Sequence, residues 1–346
     1  MAYLDAGFYI VTDTVFIPDG ARIVGEALAA VIMGTGSNFQ DMSKPRPVIQ
    51  IGLPGQEGHI EWSDTIVSTR GPCAGAVVIQ YNLHSTSGVP SSMWDVHIRI
   101  GGFAGTALQL NECAASNAAA GNGVDPNCIA AFMSMHIAPE SSSLYAENCW
   151  IWVADHDLED QFVRRISIFA GRGLLIESTM GQIWLSATSS EHHVLYQYQI
   201  QGSQDIYLGH AQTESPYYQP LPSAQYPFPV VPSLKDPDFA QDCAKDSSPG
   251  CESAWAIRIV DSSNVVVYGA GLYSFFDSYS DKCSRENSKT DCQSRLLSVQ
   301  GSTSGVKILG LSTVATSVMI HRDKQDSLHA KWNKGTFADT VALYLP

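Results

Sequence analysis

Hydrophobic positions in this chain alternate with a period of two in short runs, and few stretches carry the spacing of a helix. Arg22-Ile23-Val24-Gly25, Val48-Ile49-Gln50-Ile51-Gly52, Ala76-Val77-Val78-Ile79-Gln80 and Val96-His97-Ile98-Arg99-Ile100-Gly101 are typical. Small turns rich in Gly, Ser and Asn separate most runs. Long polar insertions at 111–127, 233–253 and 277–295 separate others. The pattern predicts many short strands and almost no helix.

In the second half a hydrophobic–x–hydrophobic core with a small residue nearby recurs: Ile183-Trp184-Leu185-Ser186, Ile206-Tyr207-Leu208-Gly209, Val265-Val266-Val267-Tyr268-Gly269 and Val306-Lys307-Ile308-Leu309-Gly310. The first two copies lie 23 residues apart, and the later gaps of 59 and 41 contain the insertions. A strand repeat in the low twenties predicts a parallel β-helix. Each coil lays down about three strands, coils stack at roughly 4.8 Å, and Ile, Val and Leu form inward ladders. A β-sandwich would need two-residue Asn-Gly or Asp-Gly hairpin turns, and Asp19-Gly20 is the only plausible one. The expected fold is therefore all-β, a single-stranded parallel β-helix with long loop insertions. It would form one domain over 1–346, with coils from roughly 8 to 320 and a C-terminal cap or strand over 321–346.

The repeat has a chemical consequence. Glu191 follows Ile183 by eight residues, and Glu214 follows Ile206 by eight. The two glutamates then occupy equivalent places on adjacent coils, about 4.8 Å apart along the backbone. Two carboxylates that close cannot both ionise cheaply, so one pKa rises, as a glycosidase general acid requires. A solvent-facing polar ladder with both side chains exposed fits the same spacing, which leaves the two readings open. The neighbours favour chemistry. His192-His193 follows Glu191, Glu214 lies in Gln212-Thr213-Glu214-Ser215-Pro216-Tyr217-Tyr218, and Asp155-His156-Asp157 follows Trp150-Ile151-Trp152. Aromatic faces beside acids and amides are how proteins hold sugars. Trp184 and Trp255 read first as core packing, whereas Tyr217 and Tyr218, in a Pro-flanked loop, read as ligand-facing.

Composition narrows the partners. Among 346 residues, 20 Lys+Arg against 34 Asp+Glu give a net charge of −14, and only 16% are charged, against roughly 25% in an average soluble domain. The surface must be rich in neutral polar groups, which suits an extracellular protein handling a hydroxyl-rich ligand. Arg164-Arg165 is the densest basic pair, so neither nucleic acid nor an anionic membrane is an expected partner. No apolar run is long enough to span a bilayer. No dinucleotide fingerprint, P-loop or G-x-S-x-G elbow occurs. Adjacent histidines on a strand point to opposite faces, so His192-His193 does not read as a metal site, and no cofactor is expected. Eight cysteines include three pairs bracketing short polar loops: Cys113 with Cys128, Cys243 with Cys251, Cys283 with Cys292. Loop-closing disulfides, which imply an oxidising compartment, and buried free thiols are both compatible with that spacing. The segment from Met1 to Asp5 does not look like a secretory leader.

Longer stretches resemble glycoside hydrolase family 55, the exo-β-1,3-glucanases. They are Trp94-Asp95-Val96-His97 with Arg99-Ile100-Gly101-Gly102-Phe103, Trp152-Val153-Ala154-Asp155-His156-Asp157-Leu158, and Gly171-Arg172-Gly173-Leu174-Leu175-Ile176-Glu177-Ser178. They continue with Glu191-His192-His193-Val194-Leu195-Tyr196-Gln197-Tyr198, Gln212-Thr213-Glu214-Ser215-Pro216-Tyr217-Tyr218-Gln219-Pro220 and Tyr268-Gly269-Ala270-Gly271-Leu272-Tyr273-Ser274-Phe275-Phe276. The resemblance implies a right-handed, pectin-lyase-like β-helix. It also implies a secreted enzyme that hydrolyses laminarin-type β-1,3-glucan from the non-reducing end with inversion. It makes Glu214 the general acid and places Glu191 in the same pocket in a supporting role. Trp152, Asp155, Asp157, Trp184, His192, Gln212, Tyr217 and Tyr218 are the expected sugar contacts. Family members are about twice as long, with two β-helical halves and the active site between them, and this chain resembles the second half alone. Three readings compete: part of an active hydrolase, half of a two-part enzyme whose first half is made separately, or a non-catalytic carbohydrate-binding β-helix; a structural β-helix that self-associates through its exposed first coil is the further alternative.

Overall fold

The computed structural model describes residues 1–115, 123–244, 248, 250–323, 325–333 and 340–345. The chain winds as a parallel β-helix in which each coil visits three strand positions, here called faces A, B and C. One coil is Ile183–Ser186 on A, Ser189–Glu191 on B and Tyr196–Gln201 on C. The next is Gln204–Gly209, Gln212–Glu214 and Trp255–Val260. Every strand pairing between successive coils is parallel, and among the described residues the antiparallel strand pairs are those near the C-terminus, where Gln325–His329 pairs with Thr316–Arg322 and Thr340–Tyr344 with Lys307–Val314. Hairpins of the sandwich alternative are absent from the body of the fold among the described residues.

The 23-residue spacing is the stacking repeat itself. Ile183 pairs with Ile206, Ile206 with Val265, and Val266 with Lys307, so the insertions in the longer gaps leave the ladder unbroken. Ile183, Leu185, Ile206, Leu208, Val265, Val267 and Ile308 point inward and are buried. Removing one such side chain to alanine costs about 2–5 kcal/mol through lost transfer energy and the cavity left behind.

The bend from A to B is made by one residue per coil. Asp64, Asp95, Asn148, Ala187, His210, Gly269 and Gly310 fall at equivalent register positions, and all have positive φ. Gly, Asn and Asp adopt this conformation at little cost. Ala187 and His210 are held there by the ladders on either side.

Long insertions all leave from the other end of face B. Residues 101–128, 154–168, 215–254 and 274–292 each lie between a B strand and the following C strand. Three of the four carry a disulfide: Cys113–Cys128, Cys243–Cys251 and Cys283–Cys292. Cys73 and Cys149 are buried free thiols. Because the insertions share one corner, they pile into a wall along one edge of face B. No described helix is long and apolar enough to cross a membrane.

Candidate active site

Face B presents two outward rows. Arg99, Trp152, Glu191, Glu214 and Tyr273 are successive register partners along one; Trp150, Ser189, Gln212 and Gly271 form the other. Glu191 and Glu214 are thus directly paired on adjacent strands, and the Gln212 amide spans them, donating to Glu191 Oε1 at 3.2 Å and reaching Glu214 Oε1 at 3.5 Å.

The two carboxyls differ in surroundings. Glu191 is only 6% exposed and accepts from the Ser189 hydroxyl. Burial raises its pKa and the Glu214 charge adds to the rise, against the opposing pull of His192, Ser189 and Trp150. The upward shift expected of one member of the pair thus falls on Glu191. Glu214 has a side chain 15% exposed, nearer the opening. Its Oε2 accepts the Tyr217 hydroxyl at 2.6 Å and faces His192 Nε2 at 3.4 Å. Tyr217 is pushed far above the usual phenol range by burial and then by the Glu214 and Asp155 charges, so it keeps its proton and donates.

His192 donates from Nδ1 to the Val153 carbonyl at 2.8 Å, with Asp155 Oδ1 3.8 Å from the same nitrogen. Burial alone would lower its pKa, but Glu214, Asp155 and Glu191 together outweigh burial and hold it up at about 9. His193 points the opposite way, to Ser134 Oγ at 2.7 Å and the Gln197 amide; burial takes it down to about 3. Two adjacent histidines are thereby pushed in opposite directions, His192 up and His193 down.

The wall closes over this cluster. Arg165 pairs with Asp155 at 3.3 Å and lies over the rings of Tyr217 and Phe276, at 4.5 and 4.2 Å. Those rings are 4.1 Å apart. Backbone bonds from Tyr279 to the Tyr217 carbonyl and from Ser278 to the Gln219 carbonyl tie the 274–292 insertion to the 215–254 insertion. On the far side of Glu191, Trp152 packs against Trp150 at 5.1 Å, and Arg99 lies over both rings.

Of the expected contacts, Trp152, Asp155, His192, Gln212 and Tyr217 meet around the two glutamates. Three do not. Trp184 is on face A, 38% exposed, in register with Tyr145 and Tyr207, because the bend at Ala187 separates it from Glu191. Tyr218, 4% exposed, points inward and packs on Phe169 at 4.9 Å. Asp157 is consumed in tying two insertions together: it accepts from the Glu159 amide of its own and from the Leu110 amide and the Gln109 side chain of the 101–128 insertion. Arg165, Phe276 and Trp150 belong to the cluster without having been singled out as contacts. Phe276 closes a stretch already marked by its resemblance, and Trp150 precedes Trp152 by one strand period, so both carried a signal; Arg165 carried none.

The arrangement supplies a buried carboxyl, a more open carboxyl, a proton-bearing imidazole and an aromatic wall. That is the equipment of acid–base chemistry on a neutral, hydroxyl-rich substrate. Among the described residues no group of three or more His, Cys, Asp or Glu is placed to hold a metal.

No protein-family profile matches the chain. It is 44% identical over 342 residues to the glucan 1,3-β-glucosidase of Cochliobolus carbonum, covering 98% of this chain and 41% of that protein. It is 40% identical over 344 residues to a probable glucan endo-1,3-β-glucosidase of Arthroderma benhamiae, covering 99% of this chain and 38% of the relative. The solved structure of sacteLam55A from Streptomyces sp. SirexAA-E shares the fold, with a TM-score of 0.56 at 16% identity over 91% of this chain and 46% of that one. The chain is thus similar to proteins named as glucan 1,3-β- and endo-1,3-β-glucosidases, and spans about two fifths of the length of these curated relatives.

Proposed function

We propose, from that kinship as premise, that this chain acts in hydrolysis of β-1,3-glucan, with Glu214 as general acid. One observation carries the reading: Glu191 and Glu214 are direct register partners inside a wall of aromatic and polar side chains. Glu214, the more open carboxyl, protonates the glycosidic oxygen as the bond to the sugar's C1 breaks, and water completes the cleavage. Glu191 lies beneath it and bonds sugar hydroxyls. Trp152 and Tyr217 pack the sugar faces, and Gln212 keeps the acids apart. Inversion and attack from the non-reducing end are part of the proposal. So is a water-holding wall contributed by a second β-helical half. One amide bridging both acids leaves little of the gap of roughly 6.5–9.5 Å that an inverting acid and base keep between them, so Glu191 is not assigned as the base. A secreted, pectin-lyase-type protein of fungal kind fits the low share of charged residues and the three disulfides.

Incubation with laminarin, read as released reducing sugar, tests this. Glu214→Gln is expected to lower kcat about a hundredfold or more. Laminarin oligosaccharides that bind without turnover, equally in the parent and in Glu214→Gln, would replace hydrolysis with carbohydrate binding. The raised pKa of Glu191 favours a second reading in which it is the proton donor and Glu214 the carboxylate. An aryl β-glucoside with a good leaving group separates them. The variant lacking the true acid keeps far more of its activity on that substrate than on laminarin.

A further inference from the structure

Hydrogen-bond bookkeeping around His192 is incomplete without one more proton. Its Nδ1 faces the Val153 carbonyl at 2.8 Å, and a carbonyl only accepts, so Nδ1 carries a hydrogen. A neutral ring would then turn a bare Nε2 toward Glu214 Oε2, 3.4 Å away, lone pair against carboxylate. Both groups are shielded from water, with side chains 4% and 15% exposed, and Oε2 already accepts from Tyr217. We propose that His192 and Glu214 hold a single proton between them, making His192 the positioning residue that keeps the Glu214 carboxyl loaded for transfer. The role in turnover rests on the hydrolase reading above; the shared proton does not.

The transfer balances simply. When Glu214 delivers the proton to the glycosidic oxygen, the C1–O bond breaks with its electron pair on that oxygen, which leaves as a sugar hydroxyl. A water oxygen bonds to C1 and releases a proton, so glycoside plus water becomes two sugars. Glu214 is left as a carboxylate beside a neutral imidazole. One proton from solvent restores the pair.

Every charged neighbour bears on the arrangement. Asp155 faces Nδ1 from the start of the 154–168 insertion, and Arg165 tempers that charge. Glu191 precedes His192 on its own strand and bonds away from it, to Ser189 and Gln212. The Tyr217 ring stands edge-on to the imidazole at 4.7 Å. His193 is neutral and faces the interior. Among the described residues it is Glu214 whose carboxylate faces Nε2, so the proton there answers to Glu214 above all. Asp155 and Glu191 add to its retention, in keeping with a pKa of about 9.

Nitrogen NMR of the whole chain labelled at histidine tests the pairing without any turnover, the His192 signals being those lost in His192→Gln. The expected result is a doubly protonated ring at neutral pH and a titration midpoint near 9, falling by at least about one pH unit in Glu214→Gln and by less in Asp155→Asn. An Nε2 that at pH 7 shows neither a bound proton nor a hydrogen bond, or a midpoint unmoved in Glu214→Gln, overturns the proposal. The activity arm is the pH profile on laminarin. His192→Gln moves the alkaline limb to lower pH and lowers kcat more than it raises KM. A profile of unchanged shape would reduce His192 to packing. An NMR midpoint that moves as stated in a chain with no hydrolysis leaves the shared proton standing and removes the hydrolase reading alone.

Discussion

Faces A and B of the same coils carry outwardly similar ladders and have different chemistry. Face A shows Tyr145, Trp184 and Tyr207 in register; one bend later, face B shows Trp152, Glu191 and Glu214. The face A row stands on buried Ile183, Leu185, Ile206 and Leu208, and the face B row on buried Ile151, Ser190 and Thr213. Face A ends at a one-residue bend, and Trp184 stays partly exposed there. Face B ends where the insertions begin, and residues from two of them, Asp155 and Arg165 from one and Tyr217 from another, fold over its acids. A ladder of aromatic and acidic residues therefore becomes a site only where a wall dries it. Burial is the largest cause of the Glu191 pKa rise, and exclusion of water strengthens every charge interaction around His192.

The sharpest way to break the comparison is to hit each face once. Glu214→Gln on face B is expected to cost laminarin hydrolysis a hundredfold or more, whereas Trp184→Ala on face A stays within about threefold, since no catalytic group touches it. A large loss from Trp184→Ala would mean that face A also meets the substrate. Next in size is the wall itself. Phe276→Ala removes the ring packed on Tyr217 and Arg165, and is expected to lower kcat about tenfold by loosening Tyr217 on Glu214; steady-state kinetics reads it. In the core behind face A, Leu208→Ala should destabilise the fold by about 2–5 kcal/mol in denaturant titration.

The smallest expected effect is a pH-dependent one. Glu191 holds its proton more tightly folded than unfolded, so its contribution to stability is present in acid and is lost as pH rises above the ordinary carboxyl range. Glu191→Gln keeps the shape without the ionisation. Thermal melts are expected to show the variant gaining on the parent near about pH 8 and not near about pH 4. Equal offsets at both values would mean that Glu191 ionises as freely folded as unfolded.

Much of the scaffold was legible because stacking leaves a period. The 23 residues from Ile183 to Ile206 fixed which positions are neighbours, and the same offset paired Glu191 with Glu214. The three short cysteine spacings matched the disulfides formed. What the chain hides is direction. Ala187 makes the same bend as Asn148 and Gly269 but lacks their preference for positive φ, so nothing local told Trp184 from Trp152. Tyr217 and Tyr218 are identical neighbours, and only the closed loop decides which meets Glu214 and which meets Phe169. Arg165 reached the cluster through an insertion with no repeat, where contacts are set by tertiary closure rather than by period.

Each cystine fastens an insertion to itself, and none fastens one coil to another. The stack stands on strand ladders, apolar ladders and buried side-chain bonds between coils, such as Asn82 to the Gly52 carbonyl and Ser262 to the Ile200 carbonyl. Mild reduction should accordingly slacken the canopy before the pillar beneath it gives way, so that a reducing milieu silences the groove while the scaffold persists.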